Sequence, residues 1–390
     1  MLLLAEIFVY AYSLMIGIFI VIWCRLFFHR QFGFAHRPVR SSTHENNKPP
    51  LQTQLSVVVV CRNEMQNLPH LIQDLQKQTL KTAFWEVIFV DDASEDGSYQ
   101  WLLEQKELVS FNLKVLANPD FSEIISPKKR GITEAIGKAS GLWIVCTDAD
   151  CRLPCTWLEE IYVYSQDSKT EFISMPVRFS PVATWFEQWQ AIEFASLIGS
   201  GAACIGLGLP TMCNGANIAY RKEVFEKVGG FSGSEHVASG DDEFLMHKIA
   251  KRSRQSVRFL PNEKTIVSTP ANATWKALLA QRLRWASKWE NYQNLFAKIL
   301  AVFIFLVSIS TIFLYVYRDF SAIIFKFSVE FIFLSLVLYF LGQGFLVFWI
   351  PFVFVVYPFY TVFFALFARK KSFVWKERHY NTKQNDRLRI

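Results

Sequence analysis

The chain has 390 residues, 52% of them hydrophobic, with a mean hydropathy of +0.19 and a formal net charge of +7. That is too apolar for an ordinary soluble protein and too polar for one built of membrane spans alone, so a soluble domain with membrane segments attached is expected. The basic residues cluster beside apolar runs, which reads as membrane topology and contact with anionic lipid; no nucleic-acid-binding module accompanies them, and no nucleic acid is expected as a partner.

Leu2 to Phe28 is one apolar run, broken only by Glu6 and Arg25 near its ends. It is long enough to cross a hydrocarbon layer of roughly 30 Å as a helix. Arg25, His29, Arg30, Arg37 and Arg40 follow or close it, which predicts an outside N-terminus and a cytoplasmic continuation. Ser41 to Gln54 is polar, carries Pro49-Pro50 and reads as a linker.

Leu55 to Val60 is a β-branched run, a buried strand ending in Cys61-Arg62-Asn63-Glu64. Asn67 to Gln78 reads as a helix. Glu86 to Val90 is a second strand, ending in Asp91-Asp92-Ala93-Ser94, and Lys114 to Ala117 is a third. Ile132 to Ala139 is a helix entered from Pro127-Lys128-Lys129-Arg130, and Leu142 to Cys146 is the fourth strand. Alternating strand and helix argue for a parallel, doubly wound sheet, whose ligands bind beyond the carboxyl ends of the strands. Polar residues gather at those ends. Asp148 and Asp150 follow the fourth strand and share one side of an extended chain. They would grip a divalent metal and, through it, a diphosphate; the competing reading is a helix cap or a turn.

The seven cysteines include no Cys-x-x-Cys pair, and Cys146, Cys151 and Cys155 lack a familiar zinc spacing, so they are expected as reduced thiols. Phe172 to Val177 reads as a strand. Trp185 to Ile205 is an aromatic helix, either in the membrane interface or in an ordinary core. Asn214-Gly215-Ala216-Asn217 reads as a turn before a strand, with Asn217 a candidate substrate contact. Arg221 to Val228 is a short helix. Gly240-Asp241-Asp242-Glu243 opens another over Phe244 to Lys251, where acids also suit the helix dipole. Trp275 to Trp289 is basic, aromatic and helical in pattern, and contains Gln281-Arg282-Leu283-Arg284-Trp285.

Beyond it, hydropathy suggests spans at roughly 298–317, 322–341 and 345–367. The residues from 369 onward are strongly basic, as cytoplasmic tails are. Three crossings would put that tail outside, so either one segment is re-entrant or interfacial, or the tail is not cytoplasmic.

Together, Val57-Val58-Val59-Val60-Cys61-Arg62-Asn63-Glu64, Val90-Asp91-Asp92-Ala93-Ser94, Thr147-Asp148-Ala149-Asp150, Gly240-Asp241-Asp242-Glu243 and Gln281-Arg282-Leu283-Arg284-Trp285 resemble the motifs of the inverting, GT-A fold glycosyltransferases called family 2. The resemblance covers about 55–290. It implies an α/β fold with a Rossmann-like mixed sheet, flanked here by N-terminal and C-terminal transmembrane helices. It implies that Asp91 and Asp92 hold the base and ribose of a nucleotide-diphospho-sugar donor. Asp148 and Asp150 would bind Mg²⁺ or Mn²⁺, and Lys128, with Lys129 one step away, would contact the donor. Asp242 matches the general base, with Asp241 beside it where the family commonly has Glu. Gln281, Arg284 and Trp285 match Q-x-x-R-W and imply contacts to the diphosphate and to a sugar ring.

The resulting division is a transmembrane helix at 1–30, a linker at 31–54, a cytoplasmic catalytic domain at 55–273, an interfacial helix at 274–296, two or three transmembrane segments at 297–368 and a basic cytoplasmic tail at 369–390. The expected protein is a multi-pass enzyme of a bacterial inner membrane, active in cell-envelope polysaccharide synthesis. Its acceptor would be a membrane lipid or a lipid-linked glycan. The alternatives are a processive synthase of the cellulose, chitin or hyaluronan type and a non-catalytic, membrane-tethered sugar-nucleotide binder.

Overall fold

The computed structural model describes residues 1–32, 53–117, 126–235, 237, 239–286, 288, 291–292, 294–367, 372–375 and 378–381. Most of the 31–54 linker and of the 369–390 tail lies outside the described residues. The chain forms two compact units. One comprises 27–178 and 212–270, the other 1–26, 179–211 and 271–390.

The chain begins with α1 (Leu2–Phe32). The first unit then runs β1 (Leu55–Cys61), α2 (Leu68–Gln76), β2 (Trp85–Asp91), α3 (Ser98–Gln105), β3 (Asn112–Ala117), α4 (Pro127–Lys138), β4 (Trp143–Cys146), α5 (Trp157–Ser165), β5 (Phe172–Ser174) and β6 (Val177–Phe179). After α6 (Trp185–Gly206), which belongs to the second unit, it resumes with β7 (Ile218–Arg221), α7 (Lys222–Lys227), α8 (Asp241–Arg252), β8 (Val257–Phe259) and β9 (Val267–Thr269).

Seven strands form one sheet in the order β3-β2-β1-β4-β7-β5-β8. Strands β1 to β4 are mutually parallel where they pair, whereas β7 runs antiparallel to both β4 and β5. The sheet is therefore mixed, with β7 alone reversed among its seven strands, since β8 pairs in parallel with β5. Strands β1 and β2 are buried almost throughout, as runs such as Val57–Val60 require when both sheet faces are covered. Each fully buried aliphatic side chain there contributes roughly 1.5–3 kcal/mol. The expected strand over Phe172–Val177 is two strands, because Met175-Pro176 interrupts it and proline cannot donate to a ladder. The second piece, β6, pairs with β9 instead.

In the second unit, α6 begins with a capping box, in which Thr184 Oγ1 accepts from the Glu187 amide and Glu187 accepts from the Thr184 amide. A Cβ at Gly199 would lie 2.6 Å from Val337, and one at Gly206 would lie 2.5 Å from Ile22. These glycines let α6 approach its apolar neighbours closely, the packing mode of helices in lipid. Residues 185–206 thus pack among apolar helices, not in the sheet core, and the 55–273 domain expected from sequence is interrupted there. Next come α9 (Trp275–Ala286), α10 (Leu295–Tyr317), α11 (Phe320–Phe340) and, after a 3₁₀ segment at Gly344–Trp349, α12 (Ile350–Phe367). Among the described residues, four helical stretches are long and apolar enough to cross a membrane: Leu2–Phe27, Leu295–Tyr317, Phe320–Phe340 and Gly344–Leu366. Within the basic tail, Ser372–Trp375 and Arg378–Asn381 form an antiparallel hairpin.

Candidate active site

Register places the site. Cys61 pairs with Asp91 and Val58 with Cys146, so the carboxyl ends of β1, β2 and β4 share one edge of the sheet. Helix α4 returns from β3 toward the start of β4, so its first turn sits at that edge. Gly131 allows the approach: a Cβ there would already be 3.1 Å from Val90 and 3.3 Å from Val60. Antiparallel β7 starts opposite Cys146, which brings the 214–217 turn to the same edge.

At this edge Lys128 Nζ lies 2.8 Å from Asp148 Oδ1 and 3.5 Å from Asp241 Oδ2. A lysine in the first turn of a helix opposes the helix dipole. Three carboxylates compensate. Burial works to lower the Lys128 pKa, but Asp148, Asp241 and Asp242 outweigh it and hold the ammonium well above its ordinary range. Lys129 points elsewhere: it is buried, donates to the carbonyls of Ser234 at 2.7 Å and Val237 at 2.9 Å, and stands over the Phe244 ring. Of the two lysines, Lys128 is therefore the one among the carboxylates, while Lys129 fixes the loop leading to α8.

Gly240, at φ +79°, turns the chain into α8 and presents Asp241 and Asp242 in its first turn. Asp242 Oδ2 accepts from the Gly215 amide at 2.7 Å and Oδ1 from the Glu243 amide at 2.8 Å. This fixes the carboxylate against the 214–217 turn. A Cβ at Gly215 would lie 3.4 Å from Asp242 Oδ2, so glycine suits the close approach.

Asp91 and Asp92 close β2 and are both buried. The Asp92 amide donates to the Cys61 carbonyl at 2.8 Å, and the Arg62 guanidinium donates to the carbonyls of Asp92 and Ala93. Asp91 Oδ2 accepts from the Ser94 amide at 3.0 Å, while its buried Oδ1 has no hydrogen-bond partner. An unmet buried acceptor costs about 1–3 kcal/mol. The neighbouring loops brace each other, with Asn63 bonded to Ser94 and Glu95, and Asp96 to Met65 and Ser98. Burial raises the Asp96 pKa, but the bonds from Ser98 and Met65 prevail and hold it below the usual carboxylate range.

The loop carrying Asp148 and Asp150 is held from behind. Asp74 on α2 takes a bidentate pair from Arg152 at 2.7 and 2.9 Å and a third bond from the Leu153 amide at 3.0 Å. Neither Asp74 nor Arg152 stands out in the sequence, because their roles depend on α2 lying beneath that loop. Asp150 is half-buried, with the Cys151 thiol 3.8 Å from its Oδ1. Burial pushes the Cys146 thiol up to about 12 and raises the Cys151 thiol as well, so both remain neutral.

Asn217, expected as a substrate contact, lies behind the edge that carries the acids. It is fully buried, its amide nitrogen donates to the carbonyls of Pro176 and Thr265, and its oxygen accepts from the Trp157 indole. It ties β7 to the framework around Trp157, Pro176 and Thr265. Gln281, Arg284 and Trp285 lie on α9 in the second unit. There Gln281 Oε1 accepts from Asn272 at 3.0 Å and from Arg282 at 2.7 Å.

The sequence model of glycosyl transferase family 2 matches residues 56–229, and that of glycosyl transferase family group 2 matches residues 143–368. Glycosyltransferase AglE of Haloferax volcanii is 23% identical over 188 residues, a match covering 48% of this chain and 58% of that relative. Among solved structures, the mannosyltransferase PcManGT from Pyrobaculum calidifontis, in complex with GDP-Man and Mn²⁺, is similar at a TM-score of 0.51 and 17% identity, over 88% of this chain and 87% of that one. TarS of S. aureus in complex with UDP-GlcNAc is similar at a TM-score of 0.44 and 13% identity, over 84% and 96% of the two chains.

Proposed function

The chain belongs to glycosyl transferase family 2, and from that premise we propose that it moves a sugar, with inversion, from a nucleotide-diphospho-sugar to an acceptor held at a membrane. The observation that carries this reading is the gathering of Asp148, Asp241 and Asp242 around Lys128 at the carboxyl edge of the sheet.

Asp91 and Asp92 hold the donor's base and ribose; the unmet Asp91 Oδ1 is an acceptor for a ring N–H or a ribose hydroxyl. Lys128 offers a fixed positive charge to the diphosphate. Asp148 and Asp150 are hard oxygen donors that suit Mg²⁺ or Mn²⁺. Among the described residues, no group of three or more His, Cys, Asp or Glu side chains gathers to hold a metal by itself. Asp148 and Asp150 would hold such an ion with two carboxylates. When bound, such an ion supplies charge neutralisation to the departing nucleoside diphosphate. The likeness to a mannosyltransferase solved with GDP-Man and Mn²⁺ supports both the donor class and the metal.

Asp242 takes the proton from the acceptor hydroxyl while that oxygen bonds to the anomeric carbon and the bond to the diphosphate breaks. Two backbone amides keep its carboxylate oriented for this role. For Arg284 and Trp285, on α9, the family resemblance implies pairing with a diphosphate and facing a sugar ring.

The four apolar helices support an acceptor within reach of a bilayer, a glycolipid or a lipid-linked glycan. We place the catalytic unit on the cytoplasmic face, from the basic residues that follow α1. AglE comes from Haloferax volcanii and not from a bacterium, so the reading extends to a cell membrane without restriction to a bacterial one. Release of nucleoside diphosphate from a panel of sugar nucleotides, measured with Mn²⁺ and native membranes, tests the proposal. Tight donor binding with no turnover would favour the sugar-nucleotide binder.

A further inference from the structure

The motif on α9 contains an arginine that the family pattern leaves unassigned. Arg282 is 7% exposed, and the guanidinium is engaged at every nitrogen. Nη2 pairs with Glu193 Oε2 on α6, Nε donates to Tyr360 Oη on α12 at 2.8 Å, and Nη1 donates to Gln281 Oε1 at 2.7 Å. Tyr360 Oη in turn donates to the second Glu193 oxygen at 3.1 Å, which closes the network. The guanidinium also stands 4.3 Å from the centre of the Trp285 ring.

We infer that Arg282 is a positioning residue that sets Gln281 and Trp285 of the Q-x-x-R-W motif, with Glu193 and Tyr360 as its anchors. The inference rests on the proposed role of that motif in transfer. One side chain touches two of the three motif residues, by a hydrogen bond and by ring stacking. Its anchors lie on one buried helix and one membrane-spanning helix, so the motif's side chains are held to the apolar part of the protein. A buried ion pair is a weak source of stability compared with apolar residues of similar volume, whereas a planar fork with fixed donors specifies geometry. Lysine retains the charge but cannot make three bonds in one plane.

The test uses the full-length protein in detergent or native membranes. A triple variant, Arg282→Met with Glu193→Leu and Tyr360→Phe, replaces the network with apolar side chains. It is expected to melt no lower than the native protein, yet to lose about 100-fold in kcat, the scale on which misplacement near a reacting centre acts. Donor KM should change far less. Arg282→Lys should show the same split between kcat and KM, and serves if the triple variant does not fold. Native kcat in either variant would overturn the inference.

If the native protein itself releases no nucleotide from any donor, the functional reading fails, and the clamp is judged by hydrogen exchange over residues 281–286. Faster exchange there in Arg282→Lys, at an unchanged melting temperature, supports it; unchanged exchange overturns it.

Discussion

The ammonium of Lys128 lies 2.8 Å from the carboxylate of Asp148, and this contact joins the first turn of α4 to the loop after β4. The same ammonium reaches Asp241 on α8 at 3.5 Å, so one cation bridges acids brought by two distant segments of chain. Replacing it removes the charge that bridges those acids. Lys128→Met should weaken donor binding by about 1.5–3 kcal/mol, the range for a hydrogen bond to a charged group. Titration calorimetry with the sugar nucleotide measures this.

The deficit should not depend on pH in the neutral range. The folded-state pKa of Lys128 is raised above the ordinary 10.5 by Asp148, Asp241 and Asp242 against the effect of burial. A raised folded pKa contributes stability that is fully present below the unfolded value and is lost only as pH rises through the folded one. Between about pH 6 and 9 the lysine therefore stays charged. The ratio of donor affinities, native to Lys128→Met, should be flat across that range. A ratio that falls toward one at the alkaline end would show a lysine titrating too low for this site.

Asp148→Ala and Asp150→Ala should each weaken donor binding and transfer together, and added Mn²⁺ should recover part of the loss. A dependence of transfer on Mn²⁺ concentration that neither substitution moves would remove these two residues from the metal's ligands.

Helix α6 depends on a close approach at Gly199, where an added Cβ would lie 2.6 Å from Val337 and 2.9 Å from Phe333. Gly199→Leu should destabilise the protein by about 1–3 kcal/mol, as forced overpacking does. Gly17 is the control, since an added Cβ there meets nothing within 4 Å. Melting temperatures in detergent should fall for Gly199→Leu and hold for Gly17→Ala.

The parts of the fold legible in the sequence are those written in local chemistry. Val57–Val60, Val87–Val90 and Trp143–Cys146 are short apolar runs that end in polar clusters, and each is a central strand. The antiparallel course of β7 is not written there, because Ile218–Arg221 has the same character whichever way it runs. Asn217 carries a polar side chain in a turn-like stretch, the usual mark of a surface site, but folding closes Trp157, Pro176 and Thr265 around it. Pattern alone leaves Lys128 and Lys129 equivalent; only the facing of α4 separates them. Arg282 occupies an unspecified position of Q-x-x-R-W, so the family pattern passes over it, and its partners on α6 and α12 are far away in sequence.

The account turns on Asp242 as the base of a sugar transfer. The most direct measurement is nucleoside diphosphate release by purified full-length protein and by Asp242→Asn, with donor affinity measured on both. The account predicts that the native protein turns over a sugar nucleotide and that Asp242→Asn loses at least about 100-fold in kcat, the lower range for a general base, while still binding donor. Turnover in Asp242→Asn equal to the native rate would contradict it.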